Sequence, residues 1–230
     1  TTLKINIHAR FRDGTRTPPL TFTTVTPIPR HYRTNHFGIL LHRQTTALQR
    51  HDNLFAVGPS QHEGSGELAT LLRRYLGPPP RKLIDVGCGS GILSVAALKL
   101  GAEFALGVDI DEASVKASRE NANANGITTG QFAIGLGSVT EVLAGRFQAL
   151  SQGDSRVIRN AMLVLANILA PIIIRLFDMG LANLVLPGGA LILSGILAEQ
   201  AEGVIASAEA HGLKLLEKRQ QGDWVALLVR

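Results

Sequence analysis

The 230-residue chain has one cysteine, few aromatic side chains and no long apolar run. The single cysteine, Cys88, excludes a disulfide within the chain and favours a reducing compartment. The longest apolar stretch, AMLVLANILAPIII, has 14 residues and contains Asn167 and Pro171. A membrane-spanning helix needs roughly 20 apolar residues, and TTLKINIHARFRDG at the front lacks the apolar region of a secretory signal. We therefore expect a cytoplasmic protein with no membrane contact.

Positive charge is concentrated at the front of the chain. The net charge is +5, and residues 1–65 hold eight Lys and Arg against three acids, together with six of the seven histidines. Residues 66–230 contain 15 basic and 15 acidic side chains and are neutral. A basic segment on a neutral body favours a partner that carries phosphate. A solubilising surface would give the same composition.

Two parts of the chain differ in their sequence patterns. Residues 1–62 contain short β-like runs, namely LKINIHARF, LTFTTVTPI, FGILLHR and NLFAV, and we interpret them as a β-rich segment that recognises the substrate. From residue 63 to 230, strand and helix patterns alternate, which predicts a parallel sheet covered on both faces. The closing stretches LKLLEKRQ and WVALLVR predict an antiparallel hairpin at its edge.

Individual elements of the second part can be assigned from their patterns. The predicted strands are 82–86, 104–109, 131–134, 161–167 and 190–195, the last one after the turn LPGG. The predicted helices are 92–100, 112–125, 139–150, 171–184 and 198–211. This alternation places the ends of successive strands at one edge of the sheet, where ligands bind in folds of this type.

A glycine turn follows the first strand of this unit, in LIDVGCGSGILSVAALKLGAEFALGVDID (83–111). Gly87, Gly89 and Gly91 have the spacing GxGxG, whereas the dinucleotide fingerprint places its third glycine one position later, where Ile92 stands. Asp85 precedes the turn; a carboxylate there repels a diphosphate and attracts a cation. S-adenosylmethionine carries an ammonium and a sulfonium, so the sequence favours it over NAD. We expect Cys88 to contribute its backbone to the turn.

Further cofactor contacts are predicted at the next two strand ends. Asp109 lies 22 residues after Gly87, and its carboxylate can accept hydrogen bonds from both ribose hydroxyls. Ile110 is expected to lie against one adenine face. The stretch GLGS (135–138) follows the third strand, and its Ser138 is expected to border the adenine edge. No metal is assigned to the site.

Asn167 ends the fourth strand, on the side where the methyl group is expected. An amine near pKa 10.4 is charged at pH 7, and deprotonating it costs about 4–5 kcal/mol. A neighbouring carboxylate would stabilise that charged form, but residues 161–174 contain no acid. The amide oxygen of Asn167 can orient a neutral amine toward the methyl group, so we assign Asn167 as the catalytic residue. An asparagine that merely ends a strand is the structural alternative.

Several longer stretches resemble the PrmA-type ribosomal-protein methyltransferases. They are DVGCGSGILSVAALKLGA, GVDIDEASVKASRENANANG, ANILAP and LPGGALILSGILAEQAEGV with GDWVAL, and they lie within residues 82–230. The resemblance implies S-adenosylmethionine-dependent methylation of amino groups on the ribosomal stalk-base protein L11. It also implies that Gly87, Asp109 and Asn167 contact the cofactor and that the N-terminal part presents the substrate.

The resemblance also implies a fold and exposes one departure. The implied fold class is α/β, a class I methyltransferase (Rossmann-like) with a seven-stranded sheet, a C-terminal antiparallel hairpin and a small β-rich N-terminal extension. Family members carry a Phe-Gly-Thr-Gly stretch and then His-Pro-Thr-Thr, whose last threonine reaches the cofactor. This chain has GPSQHEGSGELAT instead, so His62 takes the histidine position and either Ser65 or Gly66 that of the threonine.

Three rival functions follow from the same residues. An S-adenosylmethionine-dependent methyltransferase acting on RNA or a small molecule is favoured by the altered segment and the basic front. A module that retains the cofactor-binding fold without turnover is another alternative, and the intact glycines and Asp109 argue against it. A nicotinamide-dependent dehydrogenase would need a diphosphate beside Asp85.

Overall fold

The structure is a computed structural model that describes residues 2–7, 20–25, 81–151 and 154–230. The chain divides into two compact units, Thr1–Leu71 and Leu72–Arg230. In the first unit, strands β1 (Thr2–Ile7) and β2 (Leu20–Val25) pair antiparallel. These are the first two predicted strands of the N-terminal segment. The other two predicted strands and the boundary at residues 62 and 63 lie outside the described residues and stay predictions.

The second unit alternates strands and helices, as its sequence pattern indicates. Its strands are β3 (Lys82–Val86), β4 (Phe104–Asp109), β5 (Phe132–Leu136), β6 (Gln148–Ser151), β7 (Asp154–Val157), β8 (Ala161–Asn167), β9 (Val185–Leu197), β10 (Leu215–Gln221) and β11 (Trp224–Val229). Its helices are α1 (Ile92–Lys99), α2 (Glu112–Ala124), α3 (Val139–Leu143), α4 (Ala170–Asp178) and α5 (Ala201–Ala210), with 3-10 turns at Leu181–Leu184 and Ala198–Gln200.

Seven of the described strands form one mixed sheet in the order β10-β11-β9-β8-β3-β4-β5. Strands β5, β4, β3, β8 and β9 are parallel, and β11 and β10 continue antiparallel. The chain runs outward from β3 through β4 to β5 and then crosses back to β8 on the other side of β3. This reversal is the topological switch point of the sheet. The expected fold class, a seven-stranded α/β sheet with a C-terminal antiparallel hairpin, is confirmed.

One face of the sheet is covered by α3, α4 and α5 over a continuous apolar core. The apolar side chains of these helices pack against alternate residues of the central strands. The intervening residues, such as Leu83 and Leu163, are buried on the opposite face, so each strand reads as a nearly unbroken apolar run. Fully buried members of this core are Ile84, Leu106, Val164, Ile173, Leu181, Leu184 and Leu191. This packing fixes the strand ends that carry the polar residues of the site.

Three predicted elements differ from the structure. The helix predicted over 139–150 ends at Leu143, because the chain turns at Gly145 (φ +72°), and β6 and β7 then form a separate antiparallel hairpin. The helix predicted over 171–184 ends at Asp178 and continues as a 3-10 turn after Gly180 (φ +97°). The LPGG turn lies inside β9, where a register shift between the pairs Ala161–Val185 and Leu163–Ala190 accommodates the glycines.

Tight packing at Gly135 of β5 gives a stability prediction. A Cβ at this position would lie 2.1 Å from Cε1 of Phe147, so Gly135→Ala forces that ring to move. We expect a loss of about 1–3 kcal/mol in the free energy of unfolding, the usual cost of overpacking. Chemical denaturation of the variant measures it.

The matched control is Gly203→Ala in helix α5. A Cβ there would meet only Cδ1 of Ile174, at an ordinary 3.8 Å. Alanine is the better helix former, so this variant should gain up to about 1 kcal/mol. Equal effects of the two substitutions would contradict the packing seen around Phe147.

Candidate active site

The strand register places the predicted site residues in one row at the carboxyl edge of the sheet. Val86 of β3 pairs with Val108 of β4 and with Ala166 of β8, so Gly87, Asp109 and Asn167 follow at the same level. The pairs Asp109–Leu136 and Asn167–Ser194 extend the row to β5 and β9. Neighbouring strands lie about 4.8 Å apart, so the row brings side chains distant in sequence to one edge.

The glycine turn requires a backbone that only glycine adopts easily. Gly87, Gly89 and Gly91 have φ values of +70°, +55° and +74°. A Cβ on Gly87 would lie 2.7 Å from Cγ2 of Ile168, and one on Gly91 would lie 2.8 Å from Oγ of Ser118. The backbone conformation therefore favours glycine at all three positions. At Gly87 and Gly91 a neighbouring side chain also leaves too little room for a Cβ.

Four of the five N–H groups of this turn already donate to protein acceptors. The N–H groups of Gly87 and Cys88 donate to the Val108 carbonyl at 2.9 and 3.1 Å, and that of Gly91 donates to the Cys88 carbonyl at 2.8 Å. The N–H of Gly89 donates to Oδ2 of Asp109 at 2.9 Å. A diphosphate site needs such N–H groups for its own oxygens. The turn is thus arranged for close backbone approach of a ligand and less well for phosphate.

The Asp109 carboxylate is fixed by two backbone donors. Its Oδ2 accepts from Gly89 N–H, and its Oδ1 accepts from Asp111 N–H at 3.0 Å. Burial raises the pKa of this carboxyl, and the same two N–H groups oppose the shift. Each oxygen has a further lone pair, so the oriented carboxylate can accept two hydrogen bonds from a diol.

Asp85 is buried deeper than its predicted role requires. It is 1% exposed; Oδ2 accepts a hydrogen bond from Ser94 Oγ at 2.8 Å, and Oδ1 has no hydrogen-bond partner among the residues that the structure describes. Burial raises the pKa of this carboxyl from 3.8 to about 6, and the charge of Asp109 adds to the shift. An unpartnered buried carboxylate oxygen beside the turn is the kind of group that a cationic ligand stabilises. Because the carboxylate is buried in this conformation, it would attract such a ligand through the intervening protein and would not touch it directly.

The Asn167 side chain is oriented by its neighbour on β9. Ser194 Oγ donates to Oδ1 of Asn167 at 3.0 Å, and the Ile168 N–H donates to the Ser194 carbonyl at 3.1 Å. Gly195 follows with φ +79°, and a Cβ there would lie 2.9 Å from the Ile168 carbonyl. These contacts fix the half-buried amide at the strand end with its oxygen able to accept a second hydrogen bond.

Two apolar side chains stand exposed beside Asp109. Ile110 is 75% exposed and Leu136 is 49% exposed, so the two form an apolar surface next to Asp109 that a ligand could cover. Ser138 begins α3, and its N–H donates to the Glu141 carboxylate at 2.9 Å. This end of the row therefore offers an apolar surface with a polar border.

For three other predicted site residues, Cys88, Ser65 and Gly66, the structure gives no evidence of a side-chain contact with a cofactor. Cys88 is buried, and burial raises the pKa of its thiol, so it remains protonated and is no nucleophile. Ser65 and Gly66 lie outside the described residues, so their assignment stays a prediction. In the part of the chain that the structure describes, no cluster of His, Cys, Asp and Glu could hold a metal, and no helix is long and apolar enough to span a membrane.

Several residues that organise the site do not stand out in the sequence. Ser94 binds Asp85, Ser118 binds the turn, and Ser194 binds Asn167, while Leu136 adds to the apolar surface. Leu136 could be found by aligning the ends of the predicted strands. The three serines give no local signal, because their roles depend on contacts between separate elements.

A sheet of this order, with the glycine turn after β3 and the anchored carboxylate after β4, defines the class I, Rossmann-like methyltransferase fold. A crystal structure of ribosomal protein L11 methylase from Lactobacillus delbrueckii subsp. bulgaricus superposes with a TM-score of 0.56 and 31% identity, over 74% of this chain and 79% of that one. The family model described as Ribosomal protein L11 methyltransferase (PrmA) matches residues 48–230. The chain belongs to this family.

Curated relatives extend the match along the chain. The Ribosomal protein L11 methyltransferase of Pelotomaculum thermopropionicum is 37% identical over 78% of this chain and 54% of its own length. That of Herpetosiphon aurantiacus is 34% identical over 87% of this chain and 66% of its own length. The chain spans about half to two thirds of these relatives. The family match begins at residue 48, so it reaches further forward than residues 82–230 and includes the altered segment GPSQHEGSGELAT.

The raised pKa of Asp85 predicts how stability depends on pH. The folded-state pKa of about 6 exceeds the ordinary 3.8, so the unfolded chain loses this proton first as the pH rises. As the pH rises from about 4 to 6, this carboxyl lowers the free energy of unfolding of the parent chain, by up to about 3 kcal/mol in all. Asp85→Asn removes this titration. The free energy of unfolding of the variant minus that of the parent should therefore increase by that amount from pH 4 to pH 7.

Denaturant unfolding at the two pH values measures this difference. Asp223→Asn, on an exposed carboxyl in the turn between β10 and β11, is the control and should show no such change. A difference that is constant across this range would show that Asp85 is not buried as described.

Proposed function

We propose that the chain is an S-adenosylmethionine-dependent N-methyltransferase that transfers methyl groups to amino groups of ribosomal protein L11. Family membership supports this reaction. The observation that carries the cofactor assignment is the row at the sheet edge: an anchored carboxylate at Asp109, an apolar surface at Ile110 and an oriented amide at Asn167.

The residues of the site fit this donor. The buried Asp85 carboxylate favours a cation near the turn, and the Asp109 carboxylate accepts from a ribose diol. Ile110 lies against the adenine, and Ser138 borders its edge. Gly87, Cys88, Gly89 and Gly91 supply a backbone that the donor can approach closely. Ser65 or Gly66 contributes from the preceding segment. When bound, the donor supplies a methyl group made electrophilic by its sulfonium.

Asn167 acts on the acceptor amine in this proposal. The hydrogen bond from Ser194 holds its amide oxygen in place, so that oxygen can accept from an N–H of the amine and direct the lone pair to the methyl group. Residues 161–174 contain no acid that would stabilise the ammonium form. Orientation of this kind supplies much of the acceleration of a displacement reaction.

The N-terminal segment, residues 1–62, presents the substrate in this proposal. Its excess of positive charge favours contact with ribosomal RNA as well, so the acceptor protein is reached on the ribosome or near it. The alternative acceptors are RNA and small molecules. They are distinguished by where the methyl group is found after the reaction.

The direct test uses the full chain with methyl-labelled S-adenosylmethionine, purified L11, ribosomal RNA and ribosomal proteins lacking L11. We expect label on amino groups of L11 and none on the other proteins or the RNA. Asp109→Ala, which removes the ribose acceptor, should abolish the transfer, and an exposed-site variant, Asp223→Ala, should retain it. Label only in RNA would establish the alternative. Binding of NAD in preference to S-adenosylhomocysteine would refute the whole assignment.

Substitution of Asn167 separates orientation from donor binding. Asn167→Ala should lower kcat by about 100-fold but raise the Kd for S-adenosylhomocysteine only about five- to tenfold, the effect of one lost cofactor hydrogen bond, since the amide acts mainly on the acceptor. Asn167→Asp should instead shift the acidic limb of the kcat profile to higher pH, because a carboxylate stabilises the ammonium form. Steady-state kinetics from pH 6 to 10 measure both effects.

The control for Asn167 is Asn183→Ala, on the exposed side of the 3-10 turn after α4. It should leave kcat and its pH profile unchanged. An Asn167→Ala variant with the kcat of the parent would show that this asparagine only ends the strand.

A further inference from the structure

Helix α2 presents two buried polar side chains to the glycine turn. Ser118 is 0% exposed and Asn121 is 3% exposed. Ser118 Oγ donates to the Gly89 carbonyl at 2.8 Å, and Asn121 Nδ2 donates to the Ser90 carbonyl at 2.8 Å. Burying a hydroxyl or an amide is unfavourable unless it is hydrogen-bonded. Both side chains donate to carbonyls of the glycine turn, which indicates that they serve the turn.

Gly89 is held from both sides by the same strand–helix unit. Its N–H donates to Oδ2 of Asp109, at the end of β4, and its carbonyl accepts from Ser118, in the helix that follows. Asp111 fixes the start of that helix by accepting from the N–H groups of Ala113 and Ser114. The Gly89 backbone and the Asp109 carboxylate are therefore parts of one hydrogen-bonded arrangement.

The thiol of Cys88 extends this arrangement. Its Sγ lies 3.6 Å from Ser118 Oγ, within hydrogen-bond distance for sulfur. Because the Ser118 hydroxyl donates its proton to Gly89, the protonated thiol is the donor of this second bond. The Cys88 thiol thus donates to Ser118 Oγ, and the Ser118 hydroxyl donates to the Gly89 carbonyl. Each of these two hydrogen bonds polarises the other.

We propose that Ser118 is a positioning residue for the methyl donor: through the Gly89 backbone it orients the Asp109 carboxylate toward the ribose hydroxyls. The inference rests on the proposed function, because it assigns the ribose to Asp109. Loss of the Ser118 hydroxyl leaves the Gly89 carbonyl without its partner, so this flexible residue (φ +55°) can rotate and withdraw its N–H from Asp109. Asn121 restrains the next carbonyl in the same way.

The test compares two nucleosides that differ only in the ribose hydroxyls. Kd values of adenosine and 2′,3′-dideoxyadenosine are measured by calorimetry for the parent chain and for Ser118→Ala. We expect the parent to bind adenosine more tightly. In the variant, the Kd for adenosine should rise about five- to tenfold, the effect of a typical hydrogen bond, whereas the Kd for the dideoxy compound should hardly change. The preference for adenosine should therefore shrink.

A matched control lies one helical turn away. Ser114 is also buried on α2, but its hydroxyl donates to Asp111 and not to the turn. Ser114→Ala should keep the preference of the parent. If Ser118→Ala does not fold, as judged by its thermal unfolding, Ser118→Cys replaces it, since the thiol keeps the shape but is a weaker donor. It should show the same loss of preference to a smaller extent.

Two results would overturn the inference while leaving the proposed function intact. One is an unchanged preference for adenosine in the Ser118 variants. The other is an equal rise in Kd for both nucleosides, which would indicate general loosening of the turn. A parent chain that binds both nucleosides equally well would instead overturn the assignment of the ribose to Asp109, and with it this role of Ser118.

Discussion

The hydrogen bond from Gly89 N–H to the Asp109 carboxylate, 2.9 Å long, joins the two halves of the candidate site. It connects the turn after the first strand of the unit to the end of the second. Without it, the turn could relax and the carboxylate could take other rotamers. With it, a backbone that a ligand can approach closely and an acceptor for a diol are held at a fixed separation. The parallel pairing of β3 with β4 makes this contact possible, since Val86 and Val108 lie opposite each other.

Polar groups in this region are buried at some expense of stability. Asp85 has an oxygen with no hydrogen-bond partner within the described ranges, and burial raises the pKa of its carboxyl, although a neutral side chain would pack there more favourably. Ser94, Ser118 and Asn121 limit this cost by hydrogen-bonding the groups around the turn. The one buried side-chain oxygen without a hydrogen-bond partner in the described part of the chain thus lies where a ligand is expected to bind. The apolar core beneath the site, which includes Ile84 and Leu191, supplies the stability that offsets the cost of burying these polar groups.

Much of the fold and part of the site could be predicted from the sequence. Glycines at 87, 89 and 91 and an acid at 109 are local signals, because strand patterns fix their positions and only glycine tolerates the required backbone. The β6–β7 hairpin was missed because Val139–Leu150 has helical composition, and a turn at Gly145 overrides it. The depth of Asp85 and the role of Ser118 could not be predicted. Both depend on which side chain of one helix meets which atom of a distant turn.

The central claim is that the Asp109 carboxylate, fixed by Gly89, receives the ribose of the methyl donor. A crystal structure of the full chain with S-adenosylhomocysteine tests it most directly. The account predicts both ribose hydroxyls within hydrogen-bond distance of the Asp109 oxygens, with the Gly89 N–H still donating to the same carboxylate. A ribose bound elsewhere, or an Asp109 side chain turned away from Gly89 in the complex, would contradict it.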